Sequence, residues 1–417
     1  MTAEQRRPVA DVLRDWGRAH RFAGSKDRAA IADVAYDTFR VRFGAAWTMG
    51  DDSPRALLLG ALRLQRALST DAISALFDGE AHGPAPLTSE ERDRLETVDL
   101  ADAPDHVRGN YPDWLADAFA DAFGSNASAE GEALSQRAPL DLRVNLLKGD
   151  KAKAERALSH LRPEPTSLSP WGLRLSPSAE GRAPSMAAEP AYVKGLVEIQ
   201  DEGSQVATLL SGAAAGMQVL DLCAGGGGKT LALSAMMDNK GQLYASDNDG
   251  RRLTPIYDRL TRANTRNVQV RAPKGSENVL ADLEARCDLV LVDAPCTGTG
   301  TWRRNPDAKW RLRPGALEQR RLAQDEVLDS AVRYLKPGGR LLYVTCSVLP
   351  EENEDRVIAC LERHSELASI DSASLAAQAG LPQLGEHLST RGPGLRLTPR
   401  TTGTDGFYVA ALSRISG

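Results

Sequence analysis

Two thiols leave the ends of two candidate strands. Asp288-Leu289-Val290-Leu291-Val292 is a short apolar run rich in β-branched residues, the pattern of a buried strand in a parallel sheet. It runs into Asp293-Ala294-Pro295-Cys296-Thr297-Gly298-Thr299-Gly300. A second run, Arg340-Leu341-Leu342-Tyr343-Val344, leads into Thr345-Cys346-Ser347. In open α/β sheets, ligands sit beyond the carboxyl ends of the strands, which is where both thiols fall. A thiolate can add to carbon 6 of a pyrimidine and turn the ring into an enamine. Carbon 5 then attacks a methyl donor, and its proton must leave before the thiolate is eliminated. Of two thiols, one would act as the nucleophile, and a nearby base would help break the adduct. Asp293 could stabilise that adduct at the ring nitrogen and exocyclic amine. It could instead meet a cofactor's adenine edge or amino end.

The other three cysteines read differently. Cys287 and Cys360 lack polar company in the sequence and fit small buried hydrophobes. Cys223 sits inside a glycine loop, where it contributes backbone only. An odd total of five, with no Cys-x-x-Cys, excludes a disulfide framework or zinc ribbon and suits a reducing cytosol. None of the six histidines stands beside Cys296 or Cys346, so no metal is expected there.

The glycine loop is Val219-Leu220-Asp221-Leu222-Cys223-Ala224-Gly225-Gly226-Gly227-Gly228-Lys229-Thr230, with the pattern of strand, tight turn and helix start. Glycines there let the backbone approach a ligand, and the helix start offers free N–H groups. A Walker A loop needs a glycine where Cys223 stands, and a Gly-x-Gly-x-x-Gly fingerprint would end on Thr230 or Leu231. S-adenosylmethionine (SAM) has no phosphate and needs such a loop plus an acid for its ribose hydroxyls. Asp247, after Tyr244-Ala245-Ser246, lies about 20 residues beyond the loop and supplies that acid.

The elements that must position these groups alternate from Gly195 onward. Strands are expected at Gln218 to Leu222, Gln242 to Ser246, Val268 to Val270, Asp288 to Val292 and Arg340 to Val344, with a last one at Gly406 to Leu412. Helices fall between them. This is an α/β, doubly wound, Rossmann-like arrangement. Residues 1–105 have helical periodicity in Val9, Val12, Leu13 and Trp16, and again in Ile31, Val34, Ala35 and Phe39, with Ser25 as a cap. Residues 106–195 form a small α+β module. It has a helix at Trp114 to Phe119, a strand at Leu140 to Val144, a helix over Lys153 to Leu161, a strand at Gly172 to Leu175 and a loop from Ser176 to Pro190. Residues 196–417 form the third domain.

At 417 residues, 42% hydrophobic and 26% charged, the chain has the composition of a soluble globular protein. A formal net charge of −5 excludes a uniformly basic nucleic-acid coat but leaves room for patches. Two basic stretches qualify. The first is Arg6, Arg7, Arg14, Arg18, Arg21, Lys26, Arg28, Arg40 and Arg42 near the start. The second is Arg303, Arg304, Lys309, Arg311 and Arg313, with Trp302 and Trp310 among them. Arginines grip phosphates and tryptophans stack on bases, so the second stretch reads as an RNA grip. No apolar leader and no run of the ~20 residues needed for a membrane span is present, which suits a cytoplasmic protein.

Asp293-Ala294-Pro295-Cys296-Thr297, the stretch Arg303 to Trp310, and Tyr343-Val344-Thr345-Cys346-Ser347-Val348-Leu349-Pro350-Glu351-Glu352-Asn353 together resemble the RsmB/Sun (NOP2/Sun) family of RNA 5-methylcytosine methyltransferases. Gln200 to Gln205 and Asp405-Gly406-Phe407-Tyr408 add to the likeness, which spans about residues 195–412. The N-terminal helices distantly resemble that family's NusB-like RNA-binding domain. The resemblance implies a SAM-dependent RNA cytosine-C5 methyltransferase, a monomer acting on 16S ribosomal RNA. It implies Cys346 as nucleophile and Cys296 as an aid to product release. It places Cys223, Ala224, Gly225, Gly226, Gly227, Gly228, Lys229, Asp247 and Asp293 around SAM. Two departures stand out. The family's Ala-Pro-Gly-Gly-Lys-Thr is Gly225-Gly226-Gly227-Gly228-Lys229-Thr230 here, and the acid expected after the third strand is missing from Val270-Arg271-Ala272-Pro273. Both point to weaker SAM binding. The alternative they leave is a non-catalytic RNA-binding assembly factor that retains the fold.

Overall fold

A computed structural model describes residues 7–80, 83–176, 184–275 and 277–415. Arg6 and residues 177–183 of the expected 176–190 loop lie outside the described residues. The chain divides into two units: residues 1–137 with 301–314, and residues 138–300 with 315–417.

The first unit is helical. Apolar residues at helical spacing give helices at Val9–Ala19, Ser25–Arg40, Arg42–Met49, Pro54–Leu64, Thr70–Leu76, Ser89–Thr97, Ala116–Phe123 and Ala127–Ser135. Their starts follow capping chemistry. Ser53 Oγ accepts from Ala56 N at 3.3 Å, with Pro54 in the first turn. Thr88 and Glu91 form a reciprocal capping box. Ser25, expected as a cap, is instead the first helical residue. Gly24 precedes the helix, and its N–H donates to Asp27 Oδ2 at 2.9 Å. Met49, Leu59, Leu62, Ile73, Phe77 and Leu95 make a core. Gly60 lets two helices touch, because a Cβ there would lie 2.6 Å from Ala45. Helices continue to Ser135, well past the expected boundary at 105, because Tyr111 and Phe119 are buried and stacked at 4.1 Å.

The second unit holds two sheets. The smaller comprises β1 (Leu140–Val144), β2 (Glu164–Pro165), β3 (Gly172–Leu175) and β4 (Val197–Ile199), antiparallel in the order β2-β3-β1-β4. β4 lies just beyond the expected end of the small module at 195 and pairs with β1. The larger sheet comprises β5 (Gln218–Asp221), β6 (Gln242–Ser246), β7 (Val268–Arg271), β8 (Cys287–Asp293), β9 (Leu335–Thr345), β10 (Leu367–Ser369), β11 (Leu395–Leu397) and β12 (Phe407–Arg414). Its order is β10-β12-β9-β8-β5-β6-β7, with β11 paired to β12. β5 to β9 are mutually parallel, and β12 runs antiparallel to β9.

Both faces of this sheet are covered, which is why its central strands read as unbroken apolar runs. Leu289 and Leu291 enter one core with Leu233 and Val206, whereas Val290 and Val292 enter the other with Leu328 and Val357. The fold is a doubly wound α/β sheet. Strand order reverses at β5, which lies between β6 and β8. The carboxyl ends are in register, Asp221 beside Ala245 and Leu291, Asp293 beside Val344. The loops after β5, β6, β8 and β9 therefore open along one edge, at the topological switch point.

Candidate active site

The thiol pair is built by adjacent parallel strands. β8 ends at Asp293 and β9 at Thr345, and Ala294 N donates to Val344 O at 2.8 Å. The backbone then closes a shared turn. Gly300 N donates to Cys346 O at 3.0 Å, and Gly406 N donates to Gly300 O at 2.8 Å. Gly300 must be glycine, since a Cβ would lie 2.1 Å from Gly406 O. Cys296 Sγ and Cys346 Sγ end 3.4 Å apart and half-buried. The Cys296 thiol is pushed well up, first by its hydrogen bond with Cys346 and then by burial. Either thiol can be the donor in this contact.

Asp293 is held at the same edge by Lys229, whose Nζ lies 2.7 Å from Asp293 Oδ2 and 5.4 Å from the Phe407 ring. Lys229 is buried in the first turn of the helix Gly228–Met236. Below it, Asp221 is fully buried; its Oδ2 accepts from Thr230 Oγ1 at 2.7 Å, while Oδ1 has no partner. Burial lifts this carboxyl to about 7, with Asp293 adding to the rise.

The glycine loop turns where its conformation demands it. Gly225 and Gly227 have φ of +49° and +81°, and a Cβ on Gly227 would lie 2.5 Å from Ile256. Two arginines brace the loop: Arg259 donates to Gly226 O at 2.7 Å and Arg143 to Gly228 O at 3.3 Å. Glu198 on β4 in turn holds Arg259 and Arg262. Neither brace had a signal in the sequence, because each depends on β1 or the helix Ile256–Ala263 packing beside the loop.

Asp247 closes the far side. It accepts from Gly225 N and Asp249 N, both at 3.0 Å, and Arg252 lies 3.2 Å from its Oδ2. Arg252 also reaches its Oδ1, at 3.4 Å, so a ribose hydroxyl would have to displace this arginine. Arg252 is half exposed. The loop, Asp247 and Lys229 thus fit a cofactor that brings hydroxyls and an amino acid portion but no phosphate. Cys223 and Ala224 line the same turn. Burial and the surrounding carboxylates push the Cys223 thiol up. Cys287 and Cys360 are fully buried and pushed up to about 12, as befits inert thiols. At the end of β7, Arg271 pairs with Asp282, and Glu277 pairs with Lys274 at 3.5 Å.

One expectation is overturned. The 301–314 stretch is not an open RNA grip, because most of it is built into the helical unit. Trp302 and Arg303 are buried, and Trp302 stacks on Phe119. Lys309 is fully buried, its Nζ donating to Arg40 O, Asn110 O and Ser135 Oγ at 2.8–2.9 Å. Trp310 Nε1 donates to Phe39 O at 2.6 Å. Arg304 is half-buried, Arg311 pairs with Asp307 at 3.1 Å, and Arg313 is exposed. The N-terminal basic residues are largely committed as well. Arg14 pairs with Asp11, Arg7 and Arg18 with Asp15, Arg28 donates to Ala23 O, and Arg40 is buried.

A doubly wound sheet with a glycine loop after β5 and an acid after β6 is common to SAM-dependent methyltransferases and dinucleotide-binding proteins, and this loop lacks the dinucleotide fingerprint. Residues 208–413 match the family described as 16S rRNA methyltransferase RsmB/F, and residues 111–180 match its ferredoxin-like domain. Ribosomal RNA small subunit methyltransferase B of Sodalis glossinidius is 33% identical over 76% of this chain and 69% of its own length. The protein of that name from Erwinia tasmaniensis is 28% identical over 98% of this chain and 95% of its own. Among solved structures, a methyltransferase homolog protein from Pyrococcus horikoshii is 25% identical. It covers 76% of this chain and 100% of that one, with a TM-score of 0.61. NSun6 from the same organism, solved with SFG, shares the fold at 20% identity and a TM-score of 0.61, over 73% of this chain and 99% of that one. The chain belongs to the RsmB/F family of 16S rRNA methyltransferases, and SAM is its cofactor. Among the described residues no helix is long and apolar enough to cross a membrane.

Proposed function

We propose that this protein methylates carbon 5 of a cytosine in 16S rRNA, with Cys346 attacking carbon 6 and Cys296 aiding release of the product. The observation that carries the reading is the pair of thiols 3.4 Å apart at the carboxyl ends of neighbouring parallel strands. SAM supplies the activated methyl group. Ala224 to Gly228 would hold it with their backbone, and Asp247 would hold its ribose hydroxyls. The Lys229–Asp293 pair borders both cofactor and base, and Asp293 can accept from the cytosine's exocyclic amine.

Cys346, as thiolate, adds to carbon 6 and makes carbon 5 nucleophilic. Cys296, protonated at that stage, stabilises the thiolate by hydrogen bonding. Once carbon 5 has taken the methyl group and demethylated SAM is left, the carbon-5 proton passes to solvent, the ring electrons reform the double bond, and the carbon–sulfur bond breaks to return Cys346 as a thiolate, which Cys296 receives with a hydrogen bond. A base stacked in a duplex cannot present its carbon 6 face, so the target is unpaired or flipped out. The family description and the small-subunit rRNA relatives support an RNA substrate. The test is methyl transfer to 16S rRNA with two variants. Cys346→Ala is expected to abolish transfer, and Cys296→Ala to accumulate a covalent RNA adduct that survives denaturation. Full activity in Cys346→Ala would sink the mechanism.

A further inference from the structure

Glu352 is fully buried beside the thiols, and the steps above give it no part. Its carboxylate accepts from Thr297 N at 2.8 Å and from Thr297 Oγ1 at 2.5 Å. It also accepts from Gln324 Nε2 at 3.1 Å, and that same nitrogen donates to Pro295 O at 2.9 Å. The residues on both sides of Cys296 are therefore tied, directly or through one amide, to a single carboxylate. Glu352 is itself fixed from the other cysteine's strand, because Tyr343 Oη donates to Glu352 O at 2.6 Å. Next in the chain, Asn353 accepts from Thr345 Oγ1 at 2.6 Å and donates to Ser347 O at 3.0 Å, bracketing Cys346 in the same way. Glu352 and Asn353 thus clamp one cysteine turn each, from two consecutive positions.

We infer that Glu352 is the positioning residue for the second thiol: it holds the 295–297 turn so that Cys296 faces Cys346 and can act in product release. The inference rests on the cysteine roles proposed above. A buried carboxylate is costly to keep: burial raises the Glu352 carboxyl above its ordinary value, and its hydrogen bonds from Thr297 and Gln324 work against that rise. A negative charge does what shape alone cannot. It accepts from all its donors at once, and it helps keep the Cys296 thiol up, behind Cys346 contact and burial.

The two steps of the reaction separate this role from general support of the fold. Glu352→Gln keeps the size but loses the charge and one acceptor. It is expected to methylate RNA once at near the normal rate, and to turn over about 100-fold more slowly while the covalent adduct accumulates, the cost of a misplaced group. Thr297→Val, which removes a single hydrogen bond to the carboxylate, is expected to show the same split more weakly. Unchanged SAM affinity in both would certify the fold. Cys296→Ala runs alongside. If it traps adduct and neither Glu352→Gln nor Thr297→Val does, the positioning role is overturned alone. If Cys296→Ala traps none, the assignment of the two thiols falls and this inference with it.

Discussion

Lys229 and Lys309 are both buried, and both lie over aromatic rings, yet they do opposite work. Lys229 faces a carboxylate: its Nζ is 2.7 Å from Asp293 and 5.4 Å from Phe407. Lys309 faces only neutral oxygens, those of Arg40, Asn110 and Ser135, and lies 5.9 and 5.1 Å from the rings of Trp302 and Trp310. The first is a compensated charge at an open strand edge, free to exchange partners when a ligand arrives. The second has all its donors occupied within the helical unit and nothing left to offer a phosphate. Burial alone does not mark a functional cation. The nature and freedom of its partners do.

Four measurements would break or sharpen this contrast. Lys229→Met leaves Asp293 without its partner at the reacting edge. We expect activity to fall about 100- to 1,000-fold, the scale of losing one preorganised charge, with thermal unfolding little changed. A comparable loss of stability instead would erase the distinction. Lys309→Met should do the reverse, leaving two carbonyls and a hydroxyl buried without a donor. Chemical unfolding should lose about 3 kcal/mol, while SAM affinity measured by calorimetry stays the same.

A pH series tests the charge state directly. Burial, then the Arg40 charge, holds the Lys309 ammonium well below its usual 10.5. Its folded-state value lies under its unfolded one, so between them the unfolded chain binds the extra proton. Stability therefore rises as pH climbs from the folded value towards 10.5, and the rise is complete above it. The wild type should gain that increment relative to Lys309→Met. Equal slopes in the two proteins would show that Lys309 stays fully charged. The smallest effect is expected at the loop before Lys229. Gly226 is not among the glycines of positive φ, its N–H makes no backbone hydrogen bond among the described residues, and Gly226→Pro restores the family's residue there. Stiffening the loop by about 0.4–1 kcal/mol should tighten SAM binding roughly two- to fivefold by calorimetry. Weaker binding would show that the Arg259 brace at Gly226 O, not loop stiffness, governs the cofactor site.

Much of the site was legible because its signals are local. A strand's alternation is carried by consecutive residues, so Leu140–Val144, Gly172–Leu175 and Gln242–Ser246 fell where the pattern placed them. The loop glycines, Asp247 and the two thiols each follow a strand, and a parallel sheet aligns its carboxyl ends. Short strands such as β2 and β10 escaped notice because two or three residues carry no periodicity. The basic stretch after Cys296 was misread for a related reason. Arginine, lysine and tryptophan have the same composition whether they grip RNA or fill a helical core. Only the partners decide, and Phe39, Arg40, Asn110, Phe119 and Ser135 all lie more than 160 positions away in the chain.

Residue order by itself therefore determined the doubly wound sheet, the glycine loop and the presence of two thiols at strand ends, because periodicity and turn chemistry act between near neighbours. Tertiary structure alone decided that the thiols come within 3.4 Å, that Lys309 is sealed inside the helices and that Glu352 stands behind Cys296. Those facts depend on side chains far apart in sequence, and burial sets their hydrogen bonding and charge only once the chain has closed around them.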